Sequence, residues 1–215
     1  MTGRKLVVIT GASRGLGLAI AKEFAANGWL VVGTGRSDKP AEFPQGAEYR
    51  QFDASDAGAC EQFWQDLRGQ YTDAEVCLVN NAGAYASGGL LGTSPEDYAV
   101  QISSVYFTSV YMTRAMALAV PKARVINIIS DSALAAHERN SAYGAAKAAQ
   151  KHFSQSLQQE FKPSQYQITN LYPSYIATAG PDPKAMTAED VAAFVRAQAE
   201  NEASYYIKDV TIYPR

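Results

Sequence analysis

Short apolar runs alternate along the chain with longer segments whose apolar residues recur at helical spacing. Two of the runs, KLVVI at 5–9 and VINII at 125–129, are apolar at nearly every position, which is typical of strands buried on both faces of a parallel sheet. The predicted strands lie at 5–9, 30–34, 47–52, 75–79, 125–129, 167–172 and 207–213. The pattern therefore predicts one doubly wound α/β domain over residues 1–215, with a mainly parallel sheet of about seven strands and helices on both faces.

Helical periodicity and end signals place helices between these strands. Gly28 ends the first helix after the segment LAIAKEFAAN, and Asp56 is the predicted N-cap of a helix over 57–69. Ser94 followed by Pro95 is a favourable start for a long helix that runs to about residue 119. Two further helices are predicted over 142–161 and from about residue 187.

Composition and charge exclude several classes of protein. The 215 residues are 47% hydrophobic, which is enough for a sizeable core, and the net charge of −2 gives no electrostatic reason to expect nucleic acid or an anionic membrane as a partner. Neither end resembles a signal peptide, and no apolar run reaches transmembrane length. Cys60 and Cys77 lack metal-ligand spacing. We therefore expect a cytoplasmic protein without a metal site.

Three polar residues suggest proton-transfer chemistry. Ser130 stands where the run 125–129 stops, and Tyr143 and Lys147 are four residues apart, so that a helix places both on one face. A phenol titrates near ~10, and a nearby ammonium lowers that pKa, so the tyrosine can exchange a proton with a carbonyl oxygen that Ser130 also contacts. The alternative is an ordinary helix face, which the Tyr-x-x-x-Lys spacing alone does not exclude.

A glycine-rich turn follows the first predicted strand. Gly11, Gly15 and Gly17 precede a helix, and such a turn lets the backbone approach a pyrophosphate at the helix N-terminus. A purely structural turn is the alternative. The second strand ends at Arg36 rather than at an acidic residue, and Arg14 lies in the glycine turn. Two cations there favour the 2′-phosphate of NADP(H) over NAD(H), unless both are solvated surface charges.

These motifs together resemble those of the short-chain dehydrogenase/reductase family over residues 5–213. The segments TGASRGLG at 10–17 and NNAG at 80–83 match its cofactor motifs, and Ser130, Tyr143 and Lys147 match its active site. The resemblance implies a Rossmann-type oxidoreductase that transfers a hydride between NADP(H) and a carbonyl/alcohol substrate. It makes Tyr143 the general acid/base, Ser130 the group that polarises the carbonyl, and Lys147 the group that lowers the Tyr143 pKa and holds the ribose.

The resemblance also implies a set of cofactor-binding residues. Besides Tyr143 and Lys147, these are Gly11, Ser13, Arg14, Gly15, Leu16, Gly17, Arg36, Ser37, Asp53, Asn81, Ala82, Gly83, Pro173, Ile176 and Thr178. Gln101 stands where the family commonly has an Asn that supports the catalytic Lys through a water. The chain is further expected to form a homodimer or homotetramer through the helices near 95–119 and 142–161.

One segment departs from the family pattern. Only the residues from Ala179 to Met186 separate Thr178 from the next helix, where the family usually has a longer mobile lid. Prolines make this segment a stiff crossing, so we expect an open cleft unless a partner's C-terminal strand covers it. Tyr85, Tyr106 and Tyr175 either line the pocket or pack in the core, and His137 and His152 are given no role. The rival function is a non-catalytic NADP(H)-binding sensor of the same fold.

Overall fold

A parallel sheet of seven strands forms the centre of the molecule. The computed structural model describes residues 3–85, 88–178 and 180–215. The sheet strands are β1 (Lys5–Thr10), β2 (Leu30–Gly35), β3 (Glu48–Gln51), β4 (Glu75–Asn80), β5 (Ala123–Ile128), β6 (Tyr166–Pro173) and β9 (Asp209–Ile212). Their order is β3-β2-β1-β4-β5-β6-β9, and every neighbouring pair is parallel. The order reverses between β1 and β4, which confirms the predicted doubly wound fold.

Helices cover both faces of this sheet. They are α1 (Gly15–Ala26), α2 (Ala57–Gln70), α3 (Pro95–Ile102), α4 (Thr108–Ala119), α5 (Ser141–Glu160) and α6 (Ala188–Ala199). Val7 and Ile9 pack in one core with residues of α1 and α6, whereas Leu6 and Val8 pack in a second core with residues of α2 and α4. Because alternate residues of a strand point to opposite faces, two buried faces require an uninterrupted apolar run.

The long helix predicted to run from Pro95 to about residue 119 is interrupted. A π-helix, Ser103–Phe107, separates α3 from α4. The hydroxyl of Thr108 donates to the carbonyl oxygen of Ser103, five residues back, at 3.3 Å. Hydroxyl groups that bond helix carbonyls compete with the regular backbone ladder, and this competition was not visible in the apolar periodicity.

The segment after Thr178 is short and carries no helix over residues 180–186, as the sequence predicted; Ala179 lies outside the described residues. It joins two unpredicted two-residue strands that pair with each other, β7 (Ile176–Ala177) and β8 (Met186–Thr187). The Met186 amide donates to the Tyr175 carbonyl oxygen at 2.9 Å. Helix α6 then begins at once, capped by Thr187. Within the described ranges, no helix is both long and apolar enough to cross a membrane.

Candidate active site

The polar motifs meet at the carboxyl edge of the sheet. Strands β1, β4 and β5 lie side by side, so the glycine turn, the Asn-Ala-Gly segment and Ser130 follow three adjacent strand ends. The Thr10 hydroxyl accepts hydrogen bonds from the amides of Asn81 and Ala82, each at 3.0 Å. The Asn81 side chain donates to the carbonyl oxygens of Thr10 and Gly11 at 3.0 and 3.2 Å. The two loops therefore form one rigid rim on the crevice where open α/β sheets bind ligands.

Ser130, Tyr143 and Lys147 converge on this crevice. Ser130 is buried, and its hydroxyl accepts from the Ser132 amide at 3.1 Å. A side-chain hydrogen bond joins Ser130 to Tyr143, which is half-buried. One helical turn further along α5, the Lys147 amine lies 5.7 Å from the centre of the Tyr143 ring. The structure thus brings the three side chains together in the way that their spacing predicted.

The pKa of Tyr143 is shifted upward, whereas the sequence predicted a downward shift caused by Lys147. It is raised to about 12, chiefly by burial and also by the charges of Asp131 and Tyr85, while the Ser130 hydrogen bond acts to lower it. Burial likewise lowers the pKa of Lys147 to about 7. Desolvation disfavours the charged form of both groups, and spacing along the sequence carries no information about desolvation.

Two acceptors bind the Lys147 amine. It donates to the Ile128 carbonyl oxygen at 2.7 Å and to Oε1 of Gln150 at 3.1 Å. Gln101 is buried on α3, and its support of Lys147 through a water stays a prediction. Gln150 was missed in the sequence, although its position three residues after Lys147 places it on the same helix face.

The glycine turn has the geometry of a close backbone approach. Gly11 and Gly15 have φ values of 66° and 54°, in the region that favours glycine. A Cβ at Gly17 would lie 2.2 Å from the Gly11 carbonyl oxygen, so that no side chain fits between the turn and α1. The first N–H groups of a helix have no intrahelical acceptor and suit a phosphate. The turn therefore fits the pyrophosphate of a dinucleotide.

The residues proposed to bind the adenosine end lie beyond β2. Arg14 and Arg36 are both exposed, whereas the Leu16 side chain is buried in the core and offers only its backbone. Asp53 accepts from the amide and hydroxyl of Ser55 at 2.9 and 2.7 Å. Burial opposes its ionisation, but these bonds and the Arg36 charge lower its pKa. The two exposed guanidinium groups fit a phosphate on the adenosine, and the Asp53 carboxylate is able to accept from an adenine amino group, the role that the resemblance implies.

Other predicted residues surround this core of the site. Ser13 and Ser37 flank the adenosine end, Ala82 and Gly83 follow Asn81, and Pro173, Ile176 and Thr178 follow β6. A Cβ at Gly15 would lie 3.4 Å from the Thr178 side chain, so the chain after β6 returns to the glycine turn. A Cβ at Gly83 would lie 3.7 Å from the Lys147 amine. These small residues leave room beside the lysine.

The three candidate pocket tyrosines have different surroundings. Tyr85 packs edge-on against Tyr143, with ring centres 5.1 Å apart, and is 63% exposed. Tyr175 is hydrogen-bonded to Asp182 of the short crossing. Tyr106 instead packs edge-on against Phe153 of α5. Of the three, only Tyr85 contacts the Ser-Tyr-Lys group in the part of the chain that the structure describes.

Comparisons with known proteins agree with this arrangement. A family model described as short chain dehydrogenase matches residues 5–188. The chain is 31% identical over 183 residues to the 3-oxoacyl-(acyl-carrier-protein) reductase FabG of Haemophilus influenzae, which covers 81% of this chain and 75% of that protein. It is 30% identical over 185 residues to the NADP-dependent 3-hydroxy acid dehydrogenase YdfG of Salmonella typhi, and the match covers 80% of this chain and 72% of that protein. A short chain dehydrogenase from Burkholderia cenocepacia, solved in complex with NADP, superposes with a TM-score of 0.85 at 25% identity, over 97% and 96% of the two chains.

Proposed function

The chain belongs to the short-chain dehydrogenase family of oxidoreductases, and we propose that it transfers a hydride between NADP(H) and a carbonyl/alcohol substrate. The observation that carries the proposal is the position of Tyr143, hydrogen-bonded to Ser130 on one side and one helical turn from Lys147 on the other. A positioned acid between a second donor and an ammonium is the arrangement that protonation of a carbonyl oxygen requires.

Bound NADPH supplies the hydride, and residues of the chain supply the proton and hold the reacting oxygen. With a pKa raised to about 12, the Tyr143 phenol is protonated at neutral pH and is ready to act as the acid in carbonyl reduction. The Ser130 hydroxyl donates to Asp131 at 3.1 Å and must turn to the substrate oxygen. The charged form of Lys147 stabilises the phenolate left behind and thereby favours proton transfer from Tyr143 to the substrate oxygen.

We propose NADP(H) rather than NAD(H) as the cofactor. Strand β2 leads into Gly35, Arg36 and Ser37, so no carboxylate stands there to bind a ribose 2′-hydroxyl. Arg14, in the glycine turn, and Arg36, directly after β2, are both exposed and would bind the 2′-phosphate through charge-assisted hydrogen bonds. The similarity to a relative named NADP-dependent and to a neighbour solved with NADP supports the same choice.

The proposed assembly is a homodimer or homotetramer formed through the helices of residues 95–119 and 141–160. Val100 and Phe107 are 41% and 38% exposed on the first of these segments. Apolar side chains at such positions favour contact with a second copy. The short crossing between β7 and β8 further suggests a cleft that is open to bulky carbonyl compounds unless a partner subunit covers it.

The experiment that tests the function separates catalysis from cofactor binding. NADPH oxidation is followed with a panel of ketones and aldehydes, while NADPH binding is measured separately by fluorescence titration. Turnover of any panel member above the background without enzyme supports the reductase. Tight NADPH binding without turnover across the panel would instead favour the cofactor sensor.

A further inference from the structure

Lys147 is a buried amine with a defined set of acceptors. Its side chain is 3% exposed, and two of the three donors of its ammonium form are used by Ile128 and Gln150. A buried charge is costly unless it is hydrogen-bonded. The Ile128 acceptor belongs to the backbone of β5, whereas the Gln150 acceptor is a side chain and can be removed by substitution.

The donors and acceptors around Gln150 determine the orientation of its side-chain amide. Gln150 is fully buried, and its Nε2 lies 2.7 Å from the Ser109 hydroxyl. Ser109 donates its only hydroxyl proton to the Val105 carbonyl oxygen at 2.9 Å, so it can only accept from Gln150. The NH₂ group of Gln150 therefore faces Ser109, and its oxygen faces Lys147.

We propose that Gln150 is a positioning residue for Lys147, and that the Ser109–Gln150 chain holds the lysine amine beside Tyr143 and favours its protonated form. The chain of hydrogen bonds runs from the π-helix through α4 to α5, so it anchors the lysine to a second helix. The effect of Gln150 on the reaction rate rests on the proposed function. The hydrogen bonds that hold Lys147 do not depend on it.

The chemical effect concerns the protonation of Lys147 near neutral pH. Burial lowers its pKa to about 7, and an acceptor that bonds the charged form opposes this shift. Tyr143, on the same helix, is the titratable group beside it in the described residues, and the charge of Asp131, after β5, acts on Tyr143. Loss of the Gln150 oxygen should therefore lower the Lys147 pKa further.

The test measures that pKa in the cofactor-free protein by NMR of isotope-labelled lysine side chains. Gln150→Met keeps the size and shape of the side chain but removes the acceptor, and should lower the pKa by about one to two units. Gln158→Met is the matched control, because Gln158 lies on the same helix but donates to the carbonyl oxygens of Ile168 and Lys208. An equal Lys147 pKa in the two variants would overturn the proposal.

Two more variants keep the test decisive if Gln150→Met folds poorly. Ser109→Ala removes the anchor and leaves the acceptor, so it should shift the pKa in the same direction by a smaller amount; no shift would contradict the anchoring chain. Gln150→Glu restores an oxygen acceptor and should return the Lys147 pKa to the wild-type value or above it. A value as low as that of Gln150→Met would also contradict the proposal.

Cofactor binding gives a second readout. If the ammonium binds the ribose, NADPH affinity should fall as pH rises through the Lys147 pKa, and this midpoint should move downward in Gln150→Met but not in Gln158→Met. Should the wild-type protein reduce no carbonyl compound, the proposed function fails while the NMR measurement still decides the role of Gln150. The two failures are therefore distinguishable.

Discussion

The Lys147 amine lies 5.7 Å from the centre of the Tyr143 ring, and burial moves the pKa values of the two groups apart, that of Tyr143 upward and that of Lys147 downward. Tyr143 is held as a neutral phenol up to about pH 12, whereas Lys147 is poised between its charged and neutral forms near pH 7. Around neutral pH, the group that changes charge in this pair is the lysine.

Tyr143→Phe should abolish most turnover and leave NADPH binding largely unchanged. The substitution removes the proton donor and keeps the ring, and general acid catalysis contributes about 10²–10⁴-fold. Steady-state rates and fluorescence titration of NADPH measure the two effects. Tyr111→Phe, on α4, is the control. Near-normal turnover in Tyr143→Phe would remove this residue from the mechanism.

The stability of the folded chain should rise with pH between about pH 7 and pH 8 because of Lys147. Its folded pKa of about 7 lies below its ordinary value of 10.5, so in this window the unfolded chain binds more protons than the folded one. The contribution is at most about 1.4 kcal/mol per pH unit. Urea unfolding of wild type and Lys147→Met at both pH values checks it, because the variant should lose this slope. A slope shared by both proteins would place its origin elsewhere.

Arg36→Ala should weaken NADPH binding about tenfold or more and leave NADH binding nearly unchanged, since a hydrogen bond to a charged group contributes roughly 1.5–3 kcal/mol. Dissociation constants for both cofactors decide this. Arg114→Ala is a suitable control because Arg114 pairs with Glu61 on the α2–α4 surface. Equal losses of the two cofactors in Arg36→Ala would mean that the arginine supports the fold rather than the phosphate.

Tyr85→Ala should raise KM for aryl ketones several-fold and change kcat little. Tyr85 is exposed and packs edge-on against Tyr143, so we expect it to offer an aromatic surface beside the reacting carbonyl, while Tyr143 transfers the proton. Tyr205→Ala, which removes an exposed ring in the segment before β9, serves for comparison. A loss confined to kcat would show instead that Tyr85 orients Tyr143.

Asn127→Leu should destabilise the fold by about 1–3 kcal/mol. Asn80, Asn127 and Asn170 are register partners on three adjacent strands, and their amides are hydrogen-bonded in a row at 2.9 and 3.1 Å. Removing the middle member takes one hydrogen bond from the Asn80 amide and one from the Asn170 oxygen. These two groups keep Thr113 and Ser154, respectively, as partners. Urea unfolding measures the loss, and the exposed Asn27→Leu should cost much less. Equal effects would mean that the row contributes little.

Features set by neighbouring residues were determined by the sequence alone. The seven predicted strands of the sheet are confirmed. The signal was strongest for the runs at 5–9 and 125–129, because burial on both faces leaves few polar positions in a strand. The caps at Asp56 and Ser94 also form as predicted, since a cap is a bond between residues three apart. The spacing of Tyr143 and Lys147 likewise determined that both side chains share one helix face.

Features that depend on distant residues were decided only by the tertiary structure. The direction of the Tyr143 and Lys147 pKa shifts follows from burial between elements far apart in the sequence. Gln150 was missed because its amide is oriented by Ser109, which lies 41 residues away on another helix. The row of asparagines needed the register of three strands, and a slip of one residue would have turned each side chain to the opposite face.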